Sequence, residues 1–198
     1  MRPAPGEVLH FSEDPTIIRF VPHVAATAQQ PDAYVWAVDG ARAPDYWFPR
    51  QCPRAMAWAH PTTSNADRDC ILGPGHQRVH AIEYGWVERL LTVRLFAYRF
   101  PAASFQPFGR PMPHAFVATE PVEPLGPPEP VGDLLRAHEA AGIQLLVLAN
   151  LWCFWDAVTS STLGFSGIRL RNASPRPATP GAPQASDELP AARRSSRR

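Results

Sequence analysis

The sequence predicts an α+β domain: a mixed, mostly antiparallel split sheet with a few short helices. Short β-branched and aromatic runs recur along the chain, punctuated by Pro, Gly and Asp. Helical periodicity is confined to two longer segments near the C-terminal end. The chain has 198 residues, 45% of them hydrophobic, which suits one ordinary domain with a core of its own. The expected organisation is a flexible N-terminus over 1–6, a single domain over 7–172 and a tail over 173–198.

The elements follow in order. Residues 8–11 are a short apolar run and read as a first strand. Asp14-Pro15 ends it, and Pro15 suits the first turn of a brief helix reaching Phe20. Residues 34–38 are β-branched and aromatic and read as a second strand, with Tyr34, Trp36 and Val38 on one face. Pro44 then opens a short helix through Trp47. Prolines at 49, 53 and 61 bracket a third strand over 54–59, and the polar stretch 62–75 reads as a loop. A strand follows over 78–84, then a helical turn over 86–91. Residues 92–100 carry apolar groups on both faces, as a central strand does. Short strands are expected at 115–118 and 122–125, broken by Pro121. Residues 131–141 form an amphipathic helix with Leu134, Leu135, His138 and Ala141 inward and Gly142 as its stop. A strand over 144–148, an aromatic-rich helix over 151–162 and a last strand over 165–170 complete the domain. Beyond Asn172 the composition turns to Pro, Ala, Ser and Arg. Such a segment buries too little apolar surface to offset its ordering entropy, so it is expected to be disordered.

Composition narrows function by exclusion. Formal charge is +1 at pH 7, which argues against an extended nucleic-acid or anionic-membrane surface. The terminal arginines, Arg193 to Arg198, offer weak, salt-sensitive contact at best. All 19 basic residues are Arg, which removes Schiff-base chemistry, pyridoxal-phosphate attachment and a Walker-type lysine. Cys52, Cys70 and Cys153 form neither a disulfide framework nor a zinc-ribbon spacing. No apolar leader or span of about 20 residues is present, so a cytoplasmic, membrane-independent protein is the default expectation.

Few motifs carry chemistry. His76 and His80 stand four apart, but on a strand with no third ligand at metal spacing, so ordinary histidines outweigh a metal site. Cys52 lies between Arg50 and Arg54, cations that depress a thiol pKa; a small half-buried residue is the stronger reading. The run Phe48-Pro49-Arg50-Gln51-Cys52-Pro53-Arg54 holds two guanidinium groups on a stiff loop. That suits bidentate binding of phosphate or carboxylate, weighed equally against structural ion pairing. His10 is a lone histidine in the first strand.

Three segments together, His10-Phe11-Ser12-Glu13-Asp14-Pro15, the Phe48-to-Arg54 run and Phe165-Ser166-Gly167-Ile168-Arg169-Leu170-Arg171-Asn172, resemble an uncharacterised bacterial family over about residues 8–173. The element order is also similar, more distantly, to small ADP-ribosyltransferases of the rifamycin-modifying type. That likeness implies NAD as cofactor and no metal. His10 would hold the adenosine ribose, and Ser12 and Tyr34 are further candidates for binding the cofactor. Trp36 would pack on nicotinamide where the family has Tyr, and Arg50 or Arg54 would meet the pyrophosphate. The acid that orients the nicotinamide ribose falls on Glu120 by segment or Glu83 by chemistry. The alternative is a non-enzymatic module that takes a small nucleotide-like or anionic ligand, or a protein, on the Arg50/Arg54 loop. One spatial test separates the readings: His10, Trp36 and a carboxylate lining one cleft, against Trp36 buried under the helix over 151–162.

Overall fold

A computed structural model of the protein describes residues 1–24, 32–109 and 113–177. The expected tail therefore falls mostly outside the described residues, as do the terminal arginines. The architecture is α+β, with ten short strands in three small sheets among the described residues.

The first sheet has the order β1-β5-β8, formed by Glu7–Ser12, Phe96–Pro101 and Glu129–Pro130. β5 lies between its neighbours, as its two apolar faces predict, and β1 pairs with it antiparallel from Glu7↔Pro101 to Ser12↔Phe96. The second sheet is β2-β7-β6: Val35–Ala37, Ala115–Ala118 and Gln106–Phe108. Leu9 and Val38 exchange two backbone hydrogen bonds of 2.8 Å, joining this sheet to β1. The third sheet runs β10-β3-β4-β9, from Gly164–Ile168 through Arg54–Trp58 and Arg78–Glu83 to Gln144–Leu148. Only β4 and β9 pair in parallel among the described strands, and α3, Leu134–Ala140, precedes β9 on the crossover side.

The core is divided accordingly. Val8, Phe20, Val35, Tyr98 and Phe100 pack between the first two sheets. Trp47, Phe48, Ile82, Leu90, Leu95 and Leu134 fill the space beside the third. Ala57, Leu72, Val79, Val158 and Leu163 form a further cluster where α4, Trp152–Thr159, packs.

Several expectations need correction. Residues 15–20 are not helical. Tyr98, fully buried in β5, donates its hydroxyl proton to the Asp14 carbonyl at 2.7 Å and accepts from the Ile17 N–H at 3.1 Å. Asp14 Oδ1 also accepts from the Thr16 N–H at 2.8 Å. These partners satisfy the backbone in an extended course, and side-chain bonds of this local kind compete with helix. The stretch 62–75 is not all loop: Ser64 caps α1, Asn65–Asp67, by accepting the Asp67 N–H, and a π-helical turn follows over Arg68–Leu72. Residues 92–95 belong to the end of α2, Val87–Thr92, and its exit rather than to β5. Residues 122–125 form no strand; Val122 alone bridges Phe20. Leu135, expected inward, is 41% exposed, whereas Leu134 and His138 are buried.

The chain does not come free at Asn172. Glu83 is 5% exposed at the end of β4. Its carboxylate accepts from the Leu151 N–H at 3.1 Å, the Ser174 N–H at 2.9 Å and the Ser174 hydroxyl at 3.0 Å. Trp152 Nε1–H donates to the Ser174 carbonyl at 2.7 Å, and Arg176 pairs with Asp156 at 2.6 Å. Residues 173–177 are thus strapped to the start of α4.

Candidate functional site

A cleft of about 680 Å³ opens where the three sheets approach one another. β1 contributes His10, Phe11 and Ser12, β2 contributes Trp36, the Pro-framed loop contributes Arg50, the start of β3 contributes Arg54, and the end of β10 with the residue after it contributes Gly167, Ile168 and Arg169. Its size is that of an ordinary small-molecule site.

His10 is half-buried on β1. Its Nδ1 lies 2.7 Å from the Trp36 carbonyl, which can only accept, so Nδ1 carries the proton. Burial, with the Arg50 and His23 charges, pushes its pKa down to about 4. The ring is therefore neutral at pH 7, and its Nε2 is an acceptor suited to a ligand hydroxyl. Phe20 braces the ring edge-on at 4.9 Å.

Trp36 is not under α4. Val35 and Ala37 turn into the core while Trp36 faces the cleft, as strand alternation requires. Its ring meets Phe108 at 4.9 Å and Tyr34 at 5.7 Å, both edge-on. Tyr34 is not a lining residue; it supports Trp36 from behind. Phe108 and His114, from β6 and the chain before β7, extend this aromatic end.

The cleft is also lined by cations. Arg54 is 3% exposed. Its Nε donates to the Asp45 carbonyl at 2.7 Å and its Nη1 to the Cys52 carbonyl at 3.0 Å. Its guanidinium carbon lies 5.2 Å from the Phe48 ring centre and 5.7 Å from that of Tyr46. Among the described residues no carboxylate forms an ion pair with it, and the Asp45 carboxylate is turned to Arg78 and Arg42. A buried cation held by carbonyls and ring faces retains a large unmet demand for negative charge. Arg50 is exposed at the rim and forms no side-chain ion pair among the described residues.

Glu13 is the one carboxylate lining the cleft among the described residues. Its Oε1 accepts the Arg50 N–H at 2.8 Å and its Oε2 pairs with Arg89 at 2.7 Å. Glu120 is exposed beyond β7 and does not line the cleft. Glu83 lies at the far side, committed to the strap already described. His10, Ser12, Trp36, Arg50 and Arg54 are brought together; Tyr34 is adjacent and Glu120 apart.

Cys52 is fully buried, and burial outweighs its arginine neighbour, pushing the thiol up to about 12. The depressed pKa expected from the flanking cations is corrected accordingly. His76 is exposed, while His80 is buried against His138. No cluster of three or more metal-ligating side chains exists among the described residues, and none of their helices is long and apolar enough to cross a membrane.

Glu13, Arg169 and Phe108 were not singled out as site residues. The first two sit inside the two runs, His10 to Pro15 and Phe165 to Asn172, that carry the family resemblance. Phe108 follows Pro107 in a three-residue strand, which leaves no periodicity to read. No curated protein and no solved structure matches the chain. One family model matches residues 9–173, nearly the whole described fold, and the chain accordingly belongs to the family of unknown function DUF6886.

Proposed function

We propose that the cleft binds a nucleotide-like anion, NAD or a related pyrophosphate nucleotide. The observation that carries this reading is the pairing of an aromatic wall at Trp36 and Phe108 with the buried, carboxylate-free Arg54 in one cavity. A base or nicotinamide ring stacks on an indole, and a guanidinium fork suits phosphate oxygens. Neutral His10 accepts a ribose hydroxyl through Nε2. This arrangement also supports the distant likeness to ADP-ribosyltransferases, in which glycosyl transfer passes through a cationic sugar that a carboxylate stabilises. In this cleft that role falls to Glu13.

A second reading, a binding module without turnover, is favoured by one observation. Both Glu13 oxygens are already engaged, by the Arg50 N–H and by Arg89. Thermal melting with NAD tests binding: 1 mM ligand should raise the melting temperature of the wild type, and His10→Ala and Trp36→Ala should each remove most of the rise. No shift for the wild type would sink the nucleotide reading. NAD consumption that stops in Glu13→Gln selects transfer or hydrolysis; binding without consumption selects the module.

A further inference from the structure

The third sheet ends differently on its two sides. At one edge β10 carries Gly164 and Gly167, residues that weaken a strand. Arg169 follows at φ 58° and bends the chain into the 3-10 helix Leu170–Asn172. The end of β10 also lines the cleft. The other edge is β9, Gln144–Leu148, which is hydrogen-bonded to β4 on its inner side. Among the described residues no backbone bond reaches its outer side. A row of N–H and C=O groups is left open there, and such a row is a template for another strand.

Nothing in β9 blunts that edge. Natural edges are usually protected by proline, charge or a bulge, and β6 and β8, outer strands of the other two sheets, each contain a proline. β9 reads Gln-Leu-Leu-Val-Leu and pairs with β4 without a break in register. From Ala140 to Trp155 the chain carries no charged residue. β3 and β4 are buried almost throughout, whereas every residue of β9 is half-buried. Both faces of β9 are packed: Leu145 and Val147 lie against the cluster of Trp47 and Leu134, and Leu146 and Leu148 against that of Leu151. Beside the start of the strand, Leu135 of α3 is 41% exposed. With Gln144 and Leu145 it lines a shallow cavity of about 360 Å³.

We propose that this edge is a dimer interface, at which β9 pairs antiparallel with β9 of a second copy about a two-fold axis at Leu146. Two four-stranded sheets are thereby joined into one. A two-fold contact has to be self-complementary, and this strand is. With Leu146 opposite its own copy, Gln144 stands opposite Leu148, and Leu145 opposite Val147, of the second copy. No charge meets a charge, and the inner pairs are aliphatic, the kind that stabilises a sheet. The antiparallel course also carries Leu148 and Ala149 of the second copy toward the exposed Leu135. A foreign strand could satisfy the backbone groups, but it would have to bring an uncharged run of its own, which a second copy supplies by symmetry. No residue of β9 lines the cleft, so the contact leaves the cleft open in both copies.

Analytical ultracentrifugation of the full chain, with amide hydrogen exchange, tests the contact. The wild type should pass from monomer to dimer as its concentration rises through the micromolar range. The outward amides of residues 144–148 should exchange about tenfold more slowly, or slower still, in the dimer. Leu146→Lys and Leu146→Glu each set like charges against one another across the axis and should be monomeric alone. An equal mixture of the two should dimerise, because Lys then meets Glu. Should either substitution unfold the chain, wild-type exchange decides by itself. A wild type that stays monomeric at every concentration overturns the proposal. Its β9 amides would exchange freely if the edge awaits a foreign strand, and be protected throughout if residues 178–198 cover it. The proposal also falls if the dimer leaves β9 exchange unchanged, if the folded variants dimerise like the wild type, or if their mixture stays monomeric.

Discussion

His80 and His138 touch through a bond whose protons can be placed by elimination. His138 Nδ1 lies 2.7 Å from the Leu134 carbonyl and so must donate; its Nε2 then accepts from His80 Nδ1 at 3.1 Å. His80 Nε2 is left to accept from Arg78 Nε at 3.0 Å. Every polar atom of both buried rings is satisfied with both rings neutral. Burial pushes His138 down to about 4 and His80 downward as well, with Asp45 opposing the shift at His80. The folded state therefore binds fewer protons than the unfolded chain between pH 4 and about 6.5. Stability is complete above that window and is lost as pH falls through it. For His138 the loss is on the order of 3 kcal/mol at most, shared with His80 because the two titrate together. Urea midpoints at pH 7.5 and pH 5 should differ accordingly; a flat profile would show that the two rings take up protons in the folded protein as readily as in the unfolded chain.

Between elements, the bond from Asn172 to Gln51 matters more than its size suggests. It spans the end of β10 and the Pro-framed loop, two segments of the cleft's cationic wall. Asn172→Ala should cost about 1 kcal/mol of stability, the worth of an ordinary hydrogen bond, and should weaken NAD binding by more than any surface change of equal stability. Calorimetry beside chemical denaturation separates the two effects. Elements of this kind differ in how far the sequence announces them. β3, β4, β7 and β9 were legible because their apolar and β-branched runs are bounded by Pro, Gly or polar breaks. The course of 13–24 was not, because the hydroxyl that satisfies its backbone belongs to Tyr98, more than 80 residues away. β6 and β8 were missed for a related reason: each contains a proline and only two or three residues, and each exists through its partner strand. In the cleft, His10, Trp36, Arg50 and Arg54 were legible as residue types in distinctive runs. Their convergence depends on the register of three sheets, and Arg169 depends on a backbone angle that no residue type reveals.

At the scale of the molecule, the cleft lies where separately packed sheets meet. Its walls are joined by Leu9 with Val38, by His10 with the Trp36 carbonyl and by Glu13 with Arg50 and Arg89. None of these ties belongs to a continuous ladder, so the geometry of the site is set by a handful of bonds between sheets. Glu83 serves the third sheet in the same way, with its carboxylate filled by Leu151 and Ser174. The family match ends at residue 173, one position short of that serine. A chain cut after Ala173 would keep every strand and still leave a sequestered acid with two of its donors gone. Such a truncation should lose roughly 1–3 kcal/mol, with early amide exchange at the start of α4, whereas a cut after residue 177 should melt like the full-length protein. This one carboxylate carries the ordered packing past the residue where the family match stops.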